Sequence, residues 1–469
     1  MKLRLLSLTV VLSGLAAASI IFVAGCSKDE NSTGPEPTDT TFTYIFDDDI
    51  QPGDSVHLTA DTRYLFSGLV FVDSGAVLSV EAGTVLRFRP GVGVNSSALI
   101  VARHGKIYMN GTATAPIIMT AQADDIDVAN DIQTFAKGLW GGLIILGNAP
   151  NNNAGGEGQI EGISSDELRA AHGGDNPHDN SGVIRYVSIR HGGTEIGAGN
   201  EINGLTLGSV GDGTTIEYVE VFSNQDDGVE FFGGLVNTRY IAVAFCGDDC
   251  YDYDEGFLGQ GQFWLGIQSS DDGNHCGEFD GATGNEQSEP FAIPVISNAT
   301  FLGSGENAPN QDNDNLIILR DNAGGKFHNS IFYDFAGNGL LIEDQSETTH
   351  PEDSRARLEA GDMVFMNNIW YGFGNGNNAD QIWNQDFVLT YMTTSANHND
   401  IVNPEMISIS RTANGGLDPR PTNGSPAAAG AVMPGGSFFT TVTYKGAFDP
   451  SAPSWLEGWT ALSAYGFTQ

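Results

Sequence analysis

Apolar residues come in short runs along this chain, each closed by a Gly, Asn or Asp turn. Residues 64–72 (YLFSGLVFV), 75–88 (GAVLSVEAGTVLRF), 97–111 (SALIVARHGKIYMNG), 116–120 (PIIMT) and 141–147 (GGLIILG) read as brief strands with no room for helices between them. The pattern is clearest over residues 216–281, which read as three turns of one winding. IEYVEVFSNQDDGVEFFGG (216–234), TRYIAVAFCGDDCYDYDEG (238–256) and QFWLGIQSSDDGNHCGEFDG (262–281) line up, with Tyr218 and Tyr240 about 22 residues apart. The acidic pairs Asp226-Asp227, Asp248-Asp249 and Asp271-Asp272 recur at a similar interval, each following one strand and preceding another.

A repeat of about 20–25 residues built from short strands and polar turns is the mark of a solenoid. A single coil cannot bury its own apolar face, so neighbouring coils stack and their strands pair in parallel. The Leu/Asn spacing of leucine-rich repeats is missing. The expected fold is therefore all-β, a right-handed parallel β-helix with loop and short-helix excursions. The same stacking aligns the acidic pairs along one edge. Carboxylates held about 4.8 Å apart repel, so they must be solvated at a corner, partly protonated, or bridged by a cation. Asp226, Asp227, Asp248, Asp249, Asp252, Asp254, Asp271 and Asp272 are the candidate ligands, and Ca2+ is the ion that hard oxygens suit. Asp248-Asp249-x-x-Asp252-x-Asp254 is spaced like a calcium loop without matching the EF-hand, and residues 310–315 (NQDNDN) form a second such loop. The competing reading is Asp chosen at turns for its backbone hydrogen bonds and solubility.

Charge narrows the partners. The chain carries 20 basic and 59 acidic residues, a formal net charge of −39. Such a surface repels nucleic acid and anionic headgroups and suits cations, neutral glycans or a basic partner. Disorder is excluded by 40% hydrophobic and 10% aromatic residues. Sixty-one glycines fit a fold with many tight corners.

The first residues divide the chain. Lys2 and Arg4 precede an apolar run over 5–23, closed by Val23-Ala24-Gly25-Cys26. This has the physical form of a signal peptide and resembles the bacterial lipobox, which implies a diacylated Cys26. Ser27-Lys28-Asp29-Glu30 resembles the surface-export tag of Bacteroidota lipoproteins. The expected organisation is a lipoprotein signal peptide (1–25), a lipidated Cys26 and flexible tether (26–41), and one β-helix domain (42–469). The expected location is the outer membrane, lipid-anchored and surface-exposed. Of the cysteines left, Cys246 and Cys250 lie four apart and Cys276 a coil later. An oxidising compartment favours a disulfide, either Cys246–Cys250 or Cys250–Cys276.

The strand segments GAVLSVEAGTVLRF, SALIVARHGKIYMNGTATAPIIMT, GLWGGLIILGNAP and SGVIRYVSIRHGG, with YKGAFDPSAPSWLEGWT near the end, resemble a family of β-helix surface lipoproteins of Bacteroidota, spirochaetes and relatives. The resemblance implies the fold and the anchor, and a place beside outer-membrane receptors. The architecture also resembles pectate lyases and polygalacturonases. Asp226-Asp227-Gly228 resembles the acid pair of the latter, yet the downstream Gly-His-Gly and Arg-Ile-Lys segments are missing. Lysines are scarce, leaving a lyase short of a base. Fold alone does not give function. The expected function is a non-enzymatic binding or adhesion lipoprotein, stabilised by calcium, whose ligand is a glycan, a metal complex or an outer-membrane receptor. A polysaccharide lyase or hydrolase, and a purely structural surface component, are the alternatives.

Smaller elements complete the expectation. Ser164–Glu167 reads as a capping box opening a short helix, 351–361 and 379–391 as helices, and 417–426 as a Pro-rich corner. A terminal helix over 454–462, carrying Trp455 and Trp459, is expected to cap the open end of the solenoid. His172 and His178 are the one histidine pair near enough in sequence to pinch a metal. Phe231, Phe232, Tyr251, Tyr253, Phe263, Trp264 and Phe279 are expected to form an internal ladder, the alternative being an exposed face on which sugars stack.

Overall fold

The short runs fold into coils that wind in parallel. The computed structural model describes residues 41–469 except 129–130, 161–162, 198–199, 283, 310–313 and 346–352. Thr41–Gln469 is one compact unit. The expected signal segment, Cys26, the tether up to residue 40 and residues 310–313 of the second acidic loop lie outside the described residues. Among those described, no helix is long and apolar enough to cross a membrane.

Among the described residues, two parallel sheets carry the fold, one of 18 strands and one of nine. In the clearest coils a long strand, an acidic turn, a short strand and a Gly turn follow one another. Thr215–Phe222 pairs in parallel with Asn237–Ala244, which pairs with Gln260–Ile267. The short strands Val229–Phe232, Tyr251–Asp254 and Gly277–Asp280 pair in the same order in the smaller sheet. Inside, the coils are filled by Val, Ile and Leu and by aromatic rings that stack from coil to coil. Tyr251 lies 4.6 Å from Trp264, Tyr253 4.4 Å from Phe279, and Phe327 4.9 Å from Phe365. Two of the expected internal aromatics, Phe232 and Phe263, face outward instead, because they sit a position out of step with the inward set on their strands.

Each long strand turns a corner at a residue in the left-handed region: Tyr186 (φ 51°), Tyr218 (57°), Tyr240 (56°) and Phe263 (62°). Later coils turn at Asn298 (58°), Asn329 (53°) and Asn367 (62°) in the equivalent place. Asparagine tolerates this conformation; bulky side chains rarely adopt it. The aromatic corners are held by stacking, with ring centroids 4.4 Å apart for Tyr186–Tyr218, 4.3 Å for Tyr218–Tyr240 and 4.8 Å for Tyr240–Phe263. Each such pair adds about 0.5–1.5 kcal/mol beyond its burial. The asparagine corners bond to one another, Asn367 Nδ2 donating to Asn329 Oδ1 at 2.7 Å.

The C-terminal segment does not cap the solenoid end. It runs back along this outer corner, visiting the coils in reverse order. Asn367 Nδ2 donates to Gly430 O at 2.8 Å, Asn329 to Val432 O at 3.0 Å and Asn298 to Tyr444 O at 2.8 Å. Trp455 then meets Tyr240 edge-on at 5.6 Å and Trp459 meets Tyr186 at 5.6 Å. Buried Glu220 accepts from Ala461 N at 2.5 Å and Leu462 N at 3.1 Å, and Ser188 Oγ donates to it at 2.5 Å. The column of corner aromatics is an apolar stripe that water would otherwise wet, and the strap buries it.

The remaining excursions are smaller than the sequence suggests. The Ser164 segment makes only a three-residue 3-10 turn, Leu168–Ala170, capped by Glu167. Ser354–Ala360 is a helix capped by Asp353 and by Gly361 at φ 84°. The next helical stretch breaks at Trp383 into Ala379–Ile382 and Asp386–Met392. The expected Pro-rich corner contains a strand, Asp418–Pro421, antiparallel to Met406–Ser408. The helix near the end is Ala461–Ala464 alone.

Because Trp459 is 1% exposed against the tyrosine column, Trp459→Ala is expected to destabilise the fold by about 3–5 kcal/mol, read as a lower denaturant midpoint. A Trp459 that merely covered a free solenoid end would leave the midpoint of coils 215–267 nearly unchanged.

Candidate functional site

The turn joining each long strand to the next short one is where the acid collects. Glycine is required at its end: a Cβ on Gly228 would sit 2.2 Å from Val243 Cγ1 and 2.7 Å from the Cys250 carbonyl oxygen. The turn therefore presses directly on the coil beneath, and its side chains stack. Val229 pairs with Tyr251, so Asp226 and Asp227 lie over Asp248 and Asp249. Asp249 N donates to Asp227 Oδ1 at 2.8 Å, and His275 N donates in turn to Asp249 Oδ1. Each carboxylate thus receives a backbone N–H from the next coil.

The third pair breaks the register. Asp252 pairs with Glu278 and Tyr253 with Phe279, which puts Asn274 and His275, not Asp271 and Asp272, over the second pair. Asn274 N donates to Asp248 O at 3.0 Å. The third turn is longer, and its extra residues carry Asp271 and Asp272 outward. There Asp272 Oδ2 lies 2.6 Å from Lys137 Nζ and Asp271 accepts from Ser269 Oγ at 2.7 Å. They border a cavity of about 480 Å³ lined also by Phe135, Phe245 and Arg411.

Asp252 and Asp254 belong to no loop either. They lie on the strand Tyr251–Asp254, where Asp252 is flanked by Glu230 and Glu278 and Asp254 by Phe232. This makes an acidic outer strand face continuous with the turns. Asn203 Nδ2 donates to Glu230. Arg320 is the cation of this face, its Nε 2.8 Å from Asp280 Oδ1 and its Nη2 2.8 Å from Glu278 Oε2.

Burial and mutual repulsion set the electrostatics. Asp227 is pushed well above the usual carboxylate range by desolvation, then by Asp249, Asp226 and Asp248. Asp249 is pushed up by desolvation, then by Asp248 and Glu278. Asp252 rises by desolvation and the charge of Glu230. Asp280 is raised to about 8 by desolvation, against the pull of Arg320. His275 is lowered by burial although Glu278 and Asp248 oppose that.

Among the described residues, three groups place ligand atoms within 4.8 Å of one another: Asp226, Asp227 and Asp248; Asp249, His275 and Glu278; and Glu286, Asp321 and Glu343. Of the eight candidate ligands read from the sequence, the structure gathers Asp226, Asp227 and Asp248 in one group and Asp249 in the next. His275 was hidden by the longer third turn. The third group went unread, although LIILRD (316–321) and LLIED (340–344) are parallel strand ends that signal it; Asp321 N donates to Glu343 Oε2 at 2.8 Å. His172 and His178 are not brought together: His172 is buried beside Ser209 Oγ at 2.9 Å, and His178 is exposed beside Asp212. Cys246, Cys250 and Cys276 are buried thiols. Of the two expected pairings, Cys250 and Cys276 come within hydrogen-bonding reach across adjacent coils.

The raised carboxylates predict a pH dependence. In the unfolded chain an Asp loses its proton near 3.8; in the fold Asp280 holds its proton up to about 8, and Asp227 and Asp249 are shifted the same way. The unfolded state therefore binds fewer protons across this window, and stability is full below 3.8 and lost as pH rises through the folded values. In a chelator, Tm is expected to fall from pH 4 to pH 8. Asp227→Asn should flatten that slope and raise Tm at pH 8 by a few degrees, whereas Asp271→Asn, removing an exposed charge, should not. Equal effects of the two substitutions would count against a buried cluster.

Compared with known proteins, the chain matches the family model described as a pectate-lyase like beta helix domain over residues 50–410. No curated protein and no solved structure matches it. The parallel coils and the family match together place this chain in the pectate-lyase-like β-helix domain family.

Proposed function

We propose that the chain is a lipid-anchored binding lipoprotein of the outer membrane, exposed at the cell surface, whose β-helix is braced by calcium at Asp226, Asp227 and Asp248. The lipid on Cys26 and the export tag are carried by their resemblances, and the −39 net charge suits a neutral glycan or a basic receptor surface. One observation favours binding over turnover. The paired acids that a hydrolase would use are engaged in holding coils together, Asp227 by Asp249 N and Asp249 by His275 N. Arg320, the arginine on the acidic face, is committed to Asp280 and Glu278. Calcium fits because three carboxylates from two coils converge; water would supply the rest of the six to eight oxygens it takes.

The second reading, a polysaccharide-cleaving enzyme, has raised carboxylates along an acidic strand face in its favour. A single screen separates the two. The chain from Ser27 onward is offered a polysaccharide panel with and without calcium, and both retention and new chain ends are read. Calcium is expected to raise Tm, Asp226→Asn with Asp248→Asn to abolish that rise, and glycans to be retained without cleavage. New chain ends that vanish in Asp249→Asn would make the column an active site and overturn the binding reading.

A further inference from the structure

We propose that Asp249, His275 and Glu278 form a second cation site, distinct in chemistry from the all-oxygen corner, that takes a borderline transition-metal ion of the Zn2+ class. The proposal does not rest on the calcium reading. His275 Nδ1 lies 3.2 Å from Asp249 Oδ1 and 4.0 Å from Glu278 Oε1. Donors held about 2.0–2.2 Å from zinc stand about 3–3.5 Å from one another in a tetrahedral site. His275 and Asp249 are thus at ligand spacing, and Glu278, with an oxygen within 4.8 Å of both, closes the site by moving toward them.

A second observation points to a missing ligand. His275 is 8% exposed, and its Nδ1, although close to Asp249, makes no hydrogen bond. A buried imidazole nitrogen without a partner is costly, and a metal ion would satisfy it. Asn315 opens the next strand of the small sheet, which pairs with Gly277–Asp280. It is 5% exposed, and its Oδ1 is likewise buried without a partner.

The surroundings already orient the ligands. Arg320 Nη2 holds Glu278 Oε2 at 2.8 Å, which leaves Oε1 facing His275. The His275 N–H fixes the Asp249 carboxylate, which keeps lone pairs for a cation. Arg320 is itself held by Asp280, whose Oδ1 lies 2.8 Å from its Nε. Such outer contacts typically govern metal affinity by about 10–100-fold. Imidazole selects zinc and its neighbours over calcium, which prefers oxygen alone. Three protein ligands leave a coordination position for water or for a donor atom of a bound molecule.

The test uses the metal alone. Metal-free chain from Thr41 onward, the compact unit, is titrated calorimetrically with Zn2+ and followed by absorption with Co2+ as reporter. The expected result is one saturable equivalent, with the visible bands of a low-coordinate cobalt site. His275→Gln keeps the backbone N–H to Asp249 and should weaken Zn2+ at least about tenfold while leaving the Ca2+-induced rise in Tm intact. Should that variant fail to fold, Glu278→Gln gives the same readout. Absence of saturable Zn2+ binding, or binding that the folded substitution leaves unchanged, overturns the proposal. Zn2+ binding is expected to be retained in Asp226→Asn, and its loss there would overturn the assignment to Asp249, His275 and Glu278.

Discussion

Parallel stacking in register is the constraint on which this molecule depends. Strands about 4.8 Å apart place each residue directly over its counterpart in the next coil, so any side-chain choice is repeated as a column. Where the column is apolar, repetition stabilises, as in the internal rings of Tyr253 and Phe279 and of Phe327 and Phe365. Where it is a corner, repetition allows an uncommon backbone, since Tyr186, Tyr218 and Tyr240 hold positive φ together. Where it is acidic, repetition is a strain, relieved by backbone N–H groups and by retained protons.

The same constraint accounts for the C-terminal strap. Outward aromatics at one corner of successive coils produce a continuous apolar stripe. Trp455, Trp459 and Tyr444 cover it, and the asparagines that replace the aromatics in later coils supply hydrogen bonds to the strap backbone. The strap thereby ties late coils to early ones. It adds long-range contacts to a solenoid whose coils would otherwise touch only their neighbours.

Much of this was legible in the sequence because a solenoid writes its geometry as a period. The equivalence of Tyr218 with Tyr240, the stacking of Asp226-Asp227 on Asp248-Asp249 and the parallel architecture all follow from spacing alone. The period misleads where a turn lengthens. Asp271-Asp272 match by composition, yet the pairing of Asp252 with Glu278 is fixed by the strand, and it brings His275 into the column. Side-chain facing turns on a single position: Phe263 sits at the corner and Trp264, one residue later, points in. The path of the strap was invisible because Trp455 and Trp459 carry no period. Their partners lie far back in the chain, at Tyr240 and Tyr186.

The central claim is that the stacked carboxylates of residues 226–280 are bridged by cations. It is tested most directly by amide hydrogen exchange with calcium and in a chelator. The account predicts that Asp249 and His275, whose N–H groups are donated to Asp227 and Asp249, exchange markedly faster without the ion, while the asparagine corners at 298 and 329 are unaffected. Identical exchange at Asp249 and His275 in both conditions would contradict it.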